Sequence, residues 1–203
     1  MRQRKPKNLP QRLEELKDYR AEIKEFSKKQ DLFLEIGCGK GQFILNQGLT
    51  NPGNNYIGIE GQESVVLKAL ERANRHKVEN VKFMCCFISD LSQFFSKDQL
   101  CGIYLNFSDP WPKTRHDKRR LTNRIFLRQY IKAIKPGGFI AIKTDNDGLF
   151  QFTMEEIEAL DLDIEEYSTN LQASQFAAKD ITTEYEDKFL AAGENINYVK
   201  VFL

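Results

Sequence analysis

A short apolar run that passes straight into a glycine-rich turn and then a helix constrains this chain more than any other feature. Asp31 to Ile36 (D-L-F-L-E-I) reads as a strand, Gly37-Cys38-Gly39-Lys40-Gly41 follows at once, and Gln42 to Gly48 reads as a helix. The alternation continues downstream. Strands are expected at Asn55–Glu60, Asn80–Cys86, Gly102–Phe107 and Phe139–Lys143. Between them, Val65, Val66, Ala69, Leu70 and Ala73 mark a helix over Ser64–Lys77, and a second helix spans Leu121–Ile134 until Pro136-Gly137-Gly138 stops it. Another helix is expected from about Gly148 to Leu160, and the alternating charges of residues 14–29 suit a short surface helix. Strands and helices taking turns in this way build βαβ units on an α/β, mostly parallel sheet.

The end of the chain breaks the rhythm. Asp161–Tyr167 and Asn197–Leu203 both read as strands without a normal crossover, which predicts an antiparallel, hairpin-like edge. Between them Thr183 and Glu186 fit a capping box that opens a helix running through Ala192.

At 203 residues the chain suits a single domain, 1–203, burying roughly 70% of its unfolded surface. A formal net charge of +1 excludes a histone-like basic protein, but the charge is sorted along the chain. Residues 1–12 carry five bases and no acid and are expected to form a flexible tail. From Pro110 to Lys135 nine bases face one acid, Asp117, and from Glu155 to Asp187 eleven acids face one base, Lys179. No apolar stretch is long enough for a membrane helix, and the basic start lacks the apolar run of a secretory signal, so a cytoplasmic protein with no membrane partner is expected. Cys38, Cys85, Cys86 and Cys101 show no C-x-x-C spacing, and with two histidines in the chain no metal site is expected. Four small buried or half-buried apolar residues in a reducing compartment is the reading for these cysteines.

A glycine turn between strand and helix allows close approach of a ligand, and the helix N-terminus favours polar or anionic groups. Glu60 ends the second strand 21 residues after Gly39, where an acid typically holds two ribose hydroxyls. A tight turn with no ligand is the plainer alternative, and a dinucleotide is another. Glu35, just ahead of the turn, would repel a pyrophosphate and suits the amino group of S-adenosylmethionine. A phosphate-binding loop of the G-K-[ST] kind is excluded because Gly41 follows Lys40.

The fourth strand leads into Asn106-Phe107-Ser108-Asp109-Pro110-Trp111-Pro112-Lys113. Open α/β sheets bind ligands beyond the carboxyl ends of their strands, and Asp109 is held there beside a proline. Trp111, the one tryptophan, either packs or stacks on a base. The run Thr114 to Arg120 reads either as a solvated loop or, beside a pocket and followed by Arg124 and Arg128, as a phosphate-contact surface using Arg115, His116, Lys118, Arg119 and Arg120. His116 is equally an ordinary exposed histidine. Asp145 ends the fifth strand, where its carboxylate can face the same pocket as Asp109. The segment around Thr183 is either a charged helix start or a wall of the substrate pocket.

Together E-I-G-C-G-K-G, G-I-E at 58–60, Y-L-N-F-S-D-P-W-P-K at 104–113, K-T-D-N at 143–146 and T-E-Y-E at 183–186 closely resemble bacterial single-chain tRNA (guanine-N7-)-methyltransferases, in order and over nearly the whole chain. The resemblance implies a class I, Rossmann-like fold of seven mostly parallel strands with one antiparallel strand. It implies S-adenosyl-L-methionine as donor and a guanine of the tRNA variable loop, usually position 46, as acceptor. It assigns Glu35, Gly37, Gly39 and Glu60 to the donor. Asp109 closes the donor site and is the catalytic residue, while Lys113, Asp145, Thr183, Glu184, Tyr185 and Glu186 contact the tRNA. One position departs: Phe87 stands where family members carry an Asp or Asn for the adenine amino group. Its ring can stack on adenine instead, with backbone groups, Ser89 or Asp90 as substitutes.

Guanine N7 carries a free lone pair, so no strong general base is expected and catalysis should rest on proximity and electrostatics. An acid near the base favours its developing positive charge and accepts from N1–H and N2–H; Asp109, Asp145 and Glu186 are the candidates. The rival readings are a methyltransferase with another substrate and a silent tRNA-binding module. A monomer or a homodimer is expected, with no apolar stripe in the sequence that marks a dimer face, and DNA is not an expected partner.

Overall fold

The structure, a computed structural model, describes residues 6–21 and 31–203, which fall into two compact units, Met1–Ser89 and Asp90–Leu203. In the first, strand β1 (Leu32–Ile36) is followed by the glycine turn, helix α2 (Gln42–Thr50), strand β2 (Asn55–Glu60), helix α3 (Glu63–His76) and strand β3 (Val81–Cys85). The three strands are parallel and lie in the order β3-β2-β1. Their apolar runs have the near-continuous burial of strands covered on both faces. Helix α3 buries Val65, Val66, Leu67, Ala69, Leu70 and Ala73 on one stripe. Each large apolar side chain so buried contributes roughly 1.5–3 kcal/mol relative to exposure.

A helix not expected from the sequence precedes β1. Helix α1 (Leu9–Glu15) has a proline in its first turn, buries Leu9 and packs on α3, where Arg12 pairs with Glu71. The last four residues of the basic 1–12 stretch therefore belong to a docked helix, whereas residues 1–5 lie outside the described residues. The surface helix expected over 14–29 is replaced, where described, by the end of α1 and a 3-10 turn at Lys17–Tyr19; its remainder at 22–29 lies outside the described residues. Arg20 pairs with Phe83, so the main chain there runs beside β3.

The second unit contains strand β4 (Leu100–Asn106), helix α4 (Arg124–Ala133), strand β5 (Ile134–Thr144), helix α5 (Asp147–Glu158), strand β6 (Ile164–Ser168), helix α6 (Glu184–Ala191) and strand β7 (Asn197–Phe202). The strand order is β4-β5-β7-β6, with β4 and β5 parallel and β7 antiparallel to both of its neighbours. The seven strands, mostly parallel with one antiparallel, are those of the fold expected from the sequence, as is the antiparallel edge at the end of the chain. Side-chain caps set the helix starts. Asn123 accepts from Ile125 N, Asn146 from Leu149 N and Thr183 from Glu186 N.

Two boundaries differ for long-range reasons. Helix α4 starts at Arg124 rather than Leu121, because Thr122 is buried against Thr153 and Asn123 caps. Strand β5 begins at Ile134 and takes in Pro136-Gly137-Gly138, expected as a breaker. Gly137, at φ 80°, donates to Leu203 O, and Gly138 O accepts from Leu203 N, so the final residue of the chain holds this stretch extended. Among the cysteines, Cys38 and Cys101 are buried and Cys86 half-buried, but Cys85, expected to be at least half-buried, is exposed at the carboxyl end of β3. Among the described residues no helix is long and apolar enough to cross a membrane.

Candidate functional site

In the first unit the functional candidates sit at the carboxyl ends of the three parallel strands. Glu35 is the penultimate residue of β1, 2% exposed and level with Gly58. The turn that follows is fastened to β2, since Ile59 O accepts from both Gly37 N (2.8 Å) and Cys38 N (3.0 Å). Gly37 and Gly39 both have positive φ, and the space a Cβ would occupy at either is empty to 4 Å. The turn is thus strained for any other residue and open on its outer side. Burial, and then the charges of Glu35 and Glu60, push the Cys38 thiol well above the usual thiol range. Both acids therefore flank the turn, an arrangement that suits a cationic ligand better than a phosphate.

Glu60 ends β2 half-buried, with Oε1 accepting from Gln62 N at 3.0 Å and its main-chain O accepting from Cys86 N at 3.1 Å. That bond carries the chain beyond β3 alongside Glu60 and delivers Phe87, 81% exposed, with its ring lying on Gly61. Of the two possible substitutes, Ser89 is exposed and the Asp90 carboxylate is taken up by Ser92 N (2.9 Å) and Ser92 Oγ (2.6 Å). Those hydrogen bonds hold the Asp90 carboxyl below the usual range.

In the second unit β4 and β5 end level with one another, Asn106 opposite Lys143. Phe107 N donates to Lys143 O (2.8 Å), and Phe107 and Trp111 both adopt positive φ, 52° and 41°. Such backbone is uncommon for bulky residues and needs support. Arg120 supplies part of it, donating to Pro110 O (3.0 Å) and Trp111 O (3.1 Å), with its guanidinium beside Asp117 and over the Phe152 ring. Its side chain is only 12% exposed. Asp109 stands exposed on the loop so held.

Trp111 is half-buried, with the Arg119 guanidinium 4.9 Å from its ring centroid and the His116 ring edge-on at 5.7 Å. Lys113, Arg115, Lys118 and Arg119 are exposed, and His116 is intermediate. Of the basic run, then, Arg120 supports the loop while the others face outward. Arg124 is also engaged, gripping Glu156 on α5 through its guanidinium. That hydrogen bonding lowers the Glu156 carboxyl.

Asp145, just beyond β5, is exposed. Thr183 and Glu186 form the capping box predicted from sequence. Glu184 is half-buried, Tyr185 is 58% exposed, and Glu186 is fully buried. Phe107 joins this segment to the Asp109 loop, its ring stacked with Tyr185 (6.4 Å) and Phe189 (5.8 Å). The structure thus brings Glu35, Gly37, Gly39, Glu60 and Phe87 together in one unit, and the Asp109 loop and the Thr183–Glu186 segment together in the other.

Sequence reasoning missed Phe107 and the Lys143–Asp180–Glu186 cluster. The available signal was Lys143 itself, a lysine directly after the apolar run Phe139–Ile142. It also counted Arg120 with the outward bases, since a basic run does not tell which member turns inward.

Comparison with known proteins adds a family to this geometry. A family model described as "Putative methyltransferase" matches residues 29–199. A tRNA (guanine-N(7)-)-methyltransferase of Mesoplasma florum is 49% identical over 84% of this chain and 80% of its own. One from Latilactobacillus sakei is 40% identical over the same shares, 84% and 80%. Among solved structures, Haemonchus contortus phosphoethanolamine N-methyltransferase 2 in complex with S-adenosyl-L-methionine aligns with a TM-score of 0.52 at 16% identity. The alignment covers 98% of this chain, which spans about half (53%) of that enzyme. At that identity the likeness is one of fold.

Proposed function

The chain belongs to the tRNA (guanine-N(7)-)-methyltransferase family, and from that premise we propose that it transfers the methyl group of S-adenosyl-L-methionine to N7 of a guanine in tRNA, at position 46 of the variable loop. The observation that carries this reading is the open glycine turn flanked by Glu35 near the end of β1 and Glu60 at the end of β2. A donor with an ammonium and a sulfonium fits such a turn; a pyrophosphate does not. When bound, the donor supplies an electrophilic methyl group that the N7 lone pair can take directly.

The residues divide the remaining work. Glu35 takes the donor's ammonium, Gly37 and Gly39 leave room for its amino-acid part, and Glu60 accepts from the ribose hydroxyls. Phe87 offers a ring face to adenine. Asp109 places negative charge where the guanine becomes positive, and no proton need leave N7. Lys113, Asp145, Thr183, Glu184 and Tyr185 hold the nucleotide to be methylated. Glu186, being buried, acts on it through the segment it anchors. Arg115, His116, Lys118 and Arg119 meet the RNA phosphates, and Arg120 does so indirectly by fixing the loop. The same reading makes the whole chain one methyltransferase domain working in the cytoplasm with tRNA as its partner.

Incubating unmodified tRNA with the protein and S-adenosyl-L-methionine, then mapping modified bases by mass, tests base and position together. 7-Methylguanine at position 46 is the expected product. Methyl groups absent from guanine, or appearing on another nucleotide, would overturn the assignment.

A further inference from the structure

Lys143 is 5% exposed, and its ammonium lies between two carboxylates drawn from a distant part of the chain. Nζ contacts the Asp180 carboxylate, donates to Ile181 O at 3.0 Å and reaches Glu186 Oε2 at 3.0 Å. Gln172 Nε2 donates to Asp180 Oδ2 (3.0 Å) and lies 3.4 Å from Glu186 Oε1. The Asp180 and Glu186 side chains are 5% and 0% exposed.

A capping box does not account for this. The Thr183 cap needs only the glutamate's side-chain oxygen near the N-cap amide and works equally with an exposed glutamate. Burying two carboxylates on one ammonium carries a large desolvation cost before their attraction is counted, and apolar replacements of such clusters are often neutral or stabilising. The cluster's distinctive product is a fixed position. The same Lys143 accepts, through its main-chain O, the amide of Phe107, two residues before Asp109, and the Phe107 ring stacks on Tyr185.

We propose that Lys143 is a positioning residue for methyl transfer: through Asp180 and Glu186 it seats the segment bearing Thr183 and Tyr185 beside the loop that carries Asp109. The proposal rests on the tRNA reading above. It adds that the segment is delivered to the substrate by a buried charge cluster rather than by its own helix cap.

Protonation gives the cluster a signature that packing alone lacks. Burial first, then the hydrogen bond and charge of Asp180, raise the Glu186 carboxyl to about 7 against the opposing pull of Lys143. The groups facing it are Lys143 from β5, Asp180 and Gln172 from the two turns before α6, and the Thr183 amide; Tyr198 on β7 senses Asp180 in turn. Without the ammonium, the two acids repel more strongly as pH rises.

The test measures kcat and KM for tRNA between pH 6 and 9 in the full-length protein, with donor binding and thermal unfolding recorded on the same preparations. Methylation of tRNA by the unaltered protein is the first measurement, and its absence would overturn the underlying reading and this proposal with it. Given that activity, Lys143→Met should lower kcat/KM for tRNA by on the order of 10- to 100-fold, as loss of positioning does, while donor affinity stays within about twofold. The loss should deepen as pH rises through 7. Lys143→Arg, or Glu186→Gln added to Lys143→Met, should recover part of it. A loss equal at every pH and relieved by neither change would overturn the proposal, as would unchanged tRNA kinetics. If Lys143→Met fails to fold, Glu186→Gln alone decides the matter. It should flatten the kcat/KM profile near pH 7, and a profile identical to that of the unaltered protein would overturn the proposal.

Discussion

The ring of Phe87 lies on Gly61 so closely that a Cβ added to the glycine would stand 2.2 Å from ring carbon Cε1. Glycine at 61 is therefore what lets an aromatic side chain settle beside Glu60 with its other face toward solvent. An exposed phenyl face is a flat surface on which a purine ring can stack. Base-on-aromatic stacking is worth about 1–3 kcal/mol. Phe87→Ala should accordingly weaken S-adenosyl-L-methionine binding by about 5- to 150-fold. Phe87→Tyr should keep most of the affinity, and Gly61→Ala, by displacing the ring, should imitate the alanine variant. Isothermal titration gives all three constants, and an unaltered constant for Phe87→Ala would remove the ring from the donor site.

Arg119 and Arg120 are neighbours in sequence with opposite employment, and salt dependence separates them. Arg119 is exposed over Trp111, where a guanidinium remains available to a phosphate. Arg120 is committed to the carbonyls of Pro110 and Trp111. Arg119→Ala should weaken tRNA binding and reduce the slope of log K against log salt by about 1, with kcat little changed. Arg120→Ala should instead lower kcat, because it releases the loop holding Asp109, and leave the slope nearly intact. Filter-binding titrations over a salt series, paired with turnover measurements, check both. Equal slopes for the two variants would mean that the burial of Arg120 does not govern its role.

Asp109 is exposed on a loop whose neighbours at 107 and 111 hold strained backbone. Its carboxylate is thus presented rather than packed, which suits a charge meant for a transition state. Asp109→Ala should reduce methyl transfer by on the order of 10²-fold while tRNA affinity changes far less. Single-turnover rates and equilibrium binding measured on one preparation make the comparison. Turnover equal to that of the unaltered protein would take the catalytic assignment away from Asp109.

Local chemistry was legible in the sequence; long-range use of side chains was not. The turn at Gly37 to Gly41, the acid at Glu60 and the Thr183–Glu186 cap each follow from residues a few positions apart, and each is found. The early start of β5 depends on Leu203, and the helix at Leu9 depends on the flank of α3. No period in either segment announces those partners. Charge read as a run was similarly ambiguous. Lys113 to Lys135 looks almost uniformly basic, yet Arg120 turns inward onto carbonyls and Asp117, and Arg124 is tied to Glu156. Glu186 hid a second duty behind its cap, since the capping box accounts for the glutamate without hinting that Lys143 meets it from β5.

That second duty makes stability depend on pH in a stated direction. Glu186 is raised from 4.5 to about 7 on folding, so between those values the folded chain binds more protons than the unfolded chain. Stability then falls as pH rises. The contribution is fully present below the ordinary carboxylate value and is lost as pH climbs through about 7. Glu156 works the other way, because its carboxyl is lowered by Arg124 and its contribution fades only as pH falls through the acid range. Between pH 6 and 8, therefore, Glu186 sets the sign, and the unfolding temperature of the intact protein should decline across that window. Glu186→Gln, which keeps the side chain's shape and cannot ionise, should flatten the decline while leaving the acid limb set by Glu156 in place. Calorimetric scans of both proteins at several pH values provide the comparison, and parallel curves would show that Glu186 does not hold its proton near neutrality.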